Sequence, residues 1–250
     1  MGDSQAAATR DPTPLPVSLA QHYRWLLTLA NPPPTRLLDV GAGHGRLLQV
    51  ARDLRIPHRV GLERKRRWRP FNPDFAPTIA DAQRLPFPNG TFDCVVENES
   101  LEWIKHPVRY LREAARVCTP TGVVITDDSD WDTLVYAVQD TARARRILRA
   151  FCDTGPNGWI GRAAPSLMRQ AGLCDVQVHV RVITEREFAP HTLGYRQAQV
   201  IDDWLRTVGD ITPTQLDDFR ADLHHTATRG DYLFTLNRCI CLGRPALATT

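Results

Sequence analysis

Between Thr35 and Leu54 the chain reads TRLLDVGAGHGRLLQVARDL, and no other stretch constrains the fold as strongly. An apolar run ends in Asp39, glycines follow at positions 41, 43 and 45, and an amphipathic segment begins at once. Glycine loses the most conformational freedom on folding, so three in five positions mark backbone that turns tightly or lies close to something. A buried strand, a glycine turn and a helix form the opening unit of a parallel sheet. In such sheets ligands sit beyond the carboxyl ends of the strands.

The same alternation continues downstream. RLLDVG (36–41), HRVGLE (58–63), FDCVVEN (92–98) and VVITD (123–127) read as strands, with a short third strand in PTIADAQRLPF (77–87). GRLLQVARDL (45–54) and HPVRYLREAARVC (106–118), ended by TPTG, read as helices between them. Apolar β-rich runs separated by helices predict parallel strands covered on both faces. Upstream, VSLAQHYRWLLTLA (17–30) has helical spacing and is stopped by NPPP, while residues 1–15 are expected to be a flexible tail.

Beyond the fifth strand the alternation loosens. Helices are expected at 140–154, 164–173, 195–209 and 213–230, with a final strand at 232–245. DVQVHVRVIT (175–184) alternates like a half-buried strand. The expected fold class is therefore α/β: a doubly wound, mostly parallel, Rossmann-like sheet with helical cap or lid insertions. One domain, 16–250, would hold a cofactor-binding core at 35–127, with cap elements at about 128–165 and 190–230 forming the substrate pocket.

Composition excludes several classes. At 250 residues, 42% hydrophobic and 24% charged, the chain matches an ordinary globular protein. A net charge of +3 is too weak to argue for a nucleic-acid partner. No apolar run approaches the roughly 18–20 residues of a membrane span, and the N-terminus lacks a secretory pattern. The cysteines, at 94, 118, 152, 174, 239 and 241, form no Cys-x-x-Cys pair. They read as free thiols of a reducing cytoplasm with no metal site, and a strand at RCIC would point Cys239 and Cys241 to one face.

Four segments in register resemble class I S-adenosylmethionine-dependent methyltransferases. LLDVGAGHGRL is similar to their first motif and VGLE to their second. The block from ADAQRLPF to GVVI (80–125) resembles, in order and spacing, the ubiquinone/menaquinone-type small-molecule subgroup. DWDTL and WIGRAAPSLMRQAGL look like segments of some bacterial members. The resemblance implies S-adenosylmethionine as cofactor. Asp39 would order the turn near the methionine end, with Gly41, Ala42, Gly43 and Gly45 forming the turn beneath it. Glu63 would bind the ribose diol. Asp81, with the backbone at Ala82, would face the adenine amine, and the backbone near Glu97 would accept from the ammonium group.

The chain departs from that pattern at three places. Trp103 stands where many relatives carry histidine, His44 where threonine or serine is commoner, and Glu97 and Glu99 where small polar residues are frequent. Methyl transfer is an in-line displacement, so orientation can supply much of the acceleration and a base is needed only where the acceptor must lose a proton. Asp128 and Asp130, in TDDSDWDTL after the fifth strand, and His191 and Tyr195, where a lid would close, are the candidates for substrate positioning or base. Arg162 reads as an ion-pair residue or a clamp for an acidic group, and His106 as a helix entry. The basic run ERKRRWRPF (63–71) reads as a solvated helix start, a phosphate or RNA contact, or a cover for adenine through Trp68.

The expected function is O- or N-methylation of a small-molecule metabolite, with C-methylation behind it. An RNA or protein methyltransferase and a non-catalytic cofactor-binding protein are the alternatives. Arg46 stands where a dinucleotide fingerprint wants its third glycine, which disfavours a nicotinamide enzyme. A monomer and a homodimer both remain open.

Overall fold

The run LLDV of β1 (Arg36–Val40) is buried on both faces, which places this strand inside the sheet. It pairs in parallel with β2 (His58–Glu63) on one side and β4 (Phe92–Asn98) on the other. In the computed structural model, which describes residues 17–64 and 78–246, β3 (Thr78–Ile79) continues the parallel set beyond β2, and β5 (Cys118–Tyr136) continues it beyond β4. β6 (Leu173–Glu185) and β7 (Phe234–Pro245) complete a seven-stranded sheet in the order β3-β2-β1-β4-β5-β7-β6. β7 runs antiparallel to both β5 and β6.

Helices cover both faces. α1 (Val17–Thr28) and α2 (Arg46–Asp53) pack Leu26, Leu27, Leu47 and Leu48 on one side, against Leu37, Val96 and Ile125. α3 (Pro107–Val117) and α5 (Ile160–Gln170) bury Tyr110, Leu111, Ile160 and Met168 on the other, against Leu38, Val95 and Val124. α4 (Thr141–Thr154), α6 (Leu193–Val208) and α7 (Pro213–Thr228) share a third core with Trp131, Tyr136 and Phe234 from the far ends of β5 and β7. These three helices fall within the stretches, about 128–165 and 190–230, expected to carry cap elements. Asp140, Thr192 and Thr212 each accept a backbone N–H of the first turn, as N-cap side chains do.

Two expectations are corrected. The fifth strand does not stop at Asp127, and residues 128–136 are not a cap insertion. β7 pairs with β5 as far as Tyr136 opposite Phe234, so TDDSDWD lies in the sheet with Asp127, Asp128, Ser129 and Asp130 buried. β6 does alternate, but its valines face out: Val178, Val180 and Val182 are 50–61% exposed. The strand lies at the sheet's edge, and no helix covers that stripe among the described residues. Cys239 and Cys241 lie two apart on β7 and are buried, with four of the six cysteines lying in other elements and Cys174 exposed. The expected tail at 1–15 and most of the basic run, Trp68 included, lie outside the described residues.

Candidate functional site

Parallel pairing brings the carboxyl ends of β1, β2, β3 and β4 to one edge, and there the chain places Asp39, Glu63, Asp81 and Glu97. The turn after β1 is built from left-handed backbone at Gly41, Gly43 and Gly45, with φ of 76°, 52° and 71°. Side-chain-bearing residues adopt such angles at a cost of roughly 1–2 kcal/mol each. Gly41 and Ala42 donate to the Leu62 carbonyl at 2.8 and 3.1 Å, tying the turn to β2. Gly43 donates to Glu63 Oε1 at 2.6 Å, so one oxygen of the expected ribose ligand shapes the turn itself. A Cβ on Gly41 would collide with Ser100, whereas a Cβ on Gly43 would meet nothing nearer than 3.9 Å. The turn is closed underneath and open above.

That opening is a cavity of about 230 Å³ lined by Tyr23, Asp39, Gly41, Ala42, Gly43, His44, Arg46, Leu47 and Asn98. Burial, reinforced by the charge of Glu63, pushes the Asp39 carboxyl up to about 8. Burial and then Arg46 hold the His44 imidazole below its usual value, so it is neutral at pH 7. Tyr23 donates to Asn98 Oδ1 at 2.9 Å, which fastens α1 over the cavity. Asn98 in turn donates to Asp127 Oδ2 at 2.8 Å.

Asp127 is a buried hub. Besides Asn98 it accepts from His22 Nε2 at 2.6 Å and from Arg238 Nε at 3.0 Å. Arg181 approaches His22 Nδ1 at 3.1 Å and can only donate, so the His22 proton sits on Nε2. Burial alone would raise the Asp127 carboxyl, but Arg238 and His22 outweigh it and hold the group below the usual range. Arg238 also pairs with Glu99 at 2.6 Å, and Glu99 accepts from Ser129 at 2.7 Å. Glu99 is left-handed at φ 52°, a strained setting held by contacts on both sides.

The expected site residues divide into two groups. Asp39, Gly41, Ala42 and Gly43 line the cavity, and Gly45 and Glu63 support its floor. Asp81 accepts from the Gln83 amide at 2.9 Å and, with Ala82, lies outside the cavity. The Glu97 side chain is fully buried and bonds the following loop rather than the cavity. None of Asp128, Asp130, His191 and Tyr195 is on the cavity wall. Asp130 is buried in an ion pair with Arg162 at 2.7 Å, the structural alternative anticipated for that arginine. His191 is 73% exposed beside Glu187, and Tyr195 stacks near Phe188 with ring centroids 4.9 Å apart. Sequence reasoning missed Tyr23 and Asn98 on the wall and the Asp127 hub behind it.

The donor set fits a zwitterionic amino acid joined to a polyhydroxyl group. The carboxyl group of Asp39 and the guanidinium of Arg46 share one wall, and Glu63 ends the neighbouring strand. No lysine cluster suited to phosphates is present among the described wall residues.

Comparison with known proteins bears on the family and the fold. A family model described as a methyltransferase domain matches residues 18–189. An uncharacterized 37.1 kDa protein in transposon TN4556 of Streptomyces fradiae is 30% identical over 128 residues, which cover 51% of this chain and 34% of that protein. Malonyl-[acyl-carrier protein] O-methyltransferase of Halorhodospira halophila is 36% identical over 101 residues, 37% of this chain and 34% of that protein. These matches span about a third of each relative's length. Among solved structures, the YcgJ protein of Bacillus subtilis shares the fold with a TM-score of 0.59 at 15% identity, covering 91% of this chain and 99% of that one.

Proposed function

The chain belongs to the methyltransferase-domain family, with the class I fold, and from that premise we propose that it transfers a methyl group from S-adenosylmethionine to a small-molecule acceptor. The observation that carries this reading is the glycine turn. Three left-handed glycines, braced by Leu62 and Glu63, open onto a cavity whose wall carries both Asp39 and Arg46. When bound, S-adenosylmethionine supplies a methyl group activated on a sulfonium.

The protein's own residues then have three tasks. Arg46 faces the carboxylate end of a zwitterion and Asp39 the ammonium end, whose charge favours loss of the Asp39 proton, while Glu63 offers its second carboxylate oxygen to hydroxyls. Tyr23, held by Asn98, covers the cavity from α1, which excludes water from the reacting atoms. His44, neutral at pH 7, is the wall group able to take a proton from a hydroxyl or amine acceptor. The Tyr23 phenol cannot do so, because burial raises its pKa far above that range.

O- or N-methylation is the favoured chemistry, supported by that neutral imidazole and, for oxygen, by the name of the Halorhodospira relative, an O-methyltransferase. Incubation with labelled S-adenosylmethionine and a panel of carboxylic acids, amines and phenols tests it. Label on an acid, amine or phenol supports the reading; tight cofactor binding with no transfer to any acceptor would favour a non-catalytic binding protein instead.

A further inference from the structure

We propose that Asp128 is a positioning residue: as a neutral acid it fixes Glu97, and through Glu97 it holds the segment after β4 closed against the glycine turn. The functional meaning of this role rests on the cofactor reading above; the hydrogen bonds that define it do not.

Glu97 is fully buried near the end of β4, and its Oε1 accepts the amides of Ser100 at 2.5 Å and Leu101 at 2.8 Å. Ser100 in turn occupies the space beside Gly41 that a side chain there would need. Asp128 lies on the neighbouring strand, one residue beyond the Asn98–Asp127 pair, and is 1% exposed. No N–H or O–H of the described residues reaches Glu97 Oε2 or either oxygen of Asp128. Glu97 pairs in register with Thr126, so Asp128, two residues on, shares its face of the sheet; three buried carboxyl oxygens with no other partner lie there, and two carboxyls can bond only with a proton between them. The two amides on Oε1 favour a charged Glu97, so the proton belongs to Asp128.

The surroundings favour keeping that proton. Asp127 and Glu99 bring negative charge from β5 and the loop after β4, and Glu102, pushed up to about 8, adds its own only as pH rises through that range. Tyr110 faces the pair from α3, and Cys239 and Cys241 face Asp128 from β7. Arg238 is the positive group among these, and it is already engaged by Asp127 and Glu99. Removing the proton would leave two adjacent buried charges, relieved when the Glu97 side chain moves away from Asp128, which breaks its bonds to Ser100 and Leu101 and frees the segment beside Gly41.

The test uses the full chain and two readouts: amide hydrogen exchange of Ser100 and Leu101 without ligand, corrected for intrinsic rates, and calorimetric affinity for S-adenosylhomocysteine. Asp128→Asn donates to Glu97 as the neutral acid does but cannot ionise. In the wild type, protection of both amides should fall about tenfold or more between pH 7 and pH 9.5; in Asp128→Asn it should stay within about twofold, with affinity following the same contrast. Asp39 titrates in this range in both proteins, so the comparison is between proteins. Glu97→Gln, whose amide can accept from the loop and donate to Asp128, should also flatten the profile and serves if Asp128→Asn does not fold. Identical pH profiles in wild type and folded variants would overturn the role. If the wild type binds no S-adenosylhomocysteine at any pH, the cofactor reading fails while the exchange data still decide the role of Asp128.

Discussion

Replacing Asp127 by alanine removes one carboxylate from the only described point where α1, β4, β5 and β7 meet through a single side chain. The substitution deletes side-chain acceptors for His22, Asn98 and Arg238 and leaves Arg238 buried with Glu99 and the main-chain carbonyl of residue 127 as its partners. Breaking a buried ion pair from one side costs about 3–5 kcal/mol. Because Glu99 stays in place, the lower end applies, about 3 kcal/mol. Against a total stability of about 5–15 kcal/mol, that is a large fraction. At roughly 2–4 °C per kcal/mol for a chain of this size, Tm should fall by about 6–12 °C. Urea unfolding measures it directly, with the midpoint shifted and the slope unchanged if the variant keeps the same compact fold. Pairing Asp127→Ala with Arg238→Met should recover about 1 kcal/mol or more, since the stranded charge is then gone. A loss below about 1 kcal/mol for Asp127→Ala, or no recovery in the double variant, would refute the hub.

Other consequences follow from the same geometry. Asp39 and Glu102 have carboxyls pushed up to about 8 by burial, so the folded state keeps protons that the unfolded chain has released by about pH 5. Their contribution is full below the ordinary carboxylate range and is lost as pH rises toward 8; Tm should be lower at pH 9 than at pH 6, and a flat or rising profile would contradict it. Asp127 is shifted the other way, so its stabilisation persists above the ordinary range and fades only in acid below it. Gly41→Ala meets both a left-handed φ and the Ser100 side chain, and should abolish detectable S-adenosylhomocysteine binding in calorimetry while costing about 1–2 kcal/mol or more in stability. Glu63→Ala should weaken that binding markedly with the fold intact by circular dichroism; unchanged affinity would remove Glu63 from the site. His44→Gln should lower kcat about a hundredfold for acceptors that must lose a proton, with little effect on cofactor affinity.

The glycine turn was legible because strand, turn and helix occupy twenty contiguous residues, and their chemistry is local. Asp39 and Glu63 sit at strand ends that the apolar patterning already located. The α1 contribution was not legible: His22 reaches Asp127 across 105 positions, and no local signal in the sequence marks Tyr23 as a wall residue. TDDSDWD was read as a loop because aspartates are poor strand formers. What keeps it in the sheet is non-local: antiparallel pairing with β7, Arg238 beside Asp127, Arg162 beside Asp130, and a proton shared between Asp128 and Glu97. The β6 alternation gave the strand but not which side is covered, since that depends on where α5 lies. His191 and Tyr195 lie near the start of α6, but neither lines the cavity.

Calorimetric titration of the wild-type protein with S-adenosylmethionine, S-adenosylhomocysteine and NAD tests the central claim most directly. Micromolar binding of the two sulfur ligands with no heat from NAD is the predicted result. Binding of NAD, or of none of the three, would contradict the assignment of the glycine turn to a sulfonium cofactor.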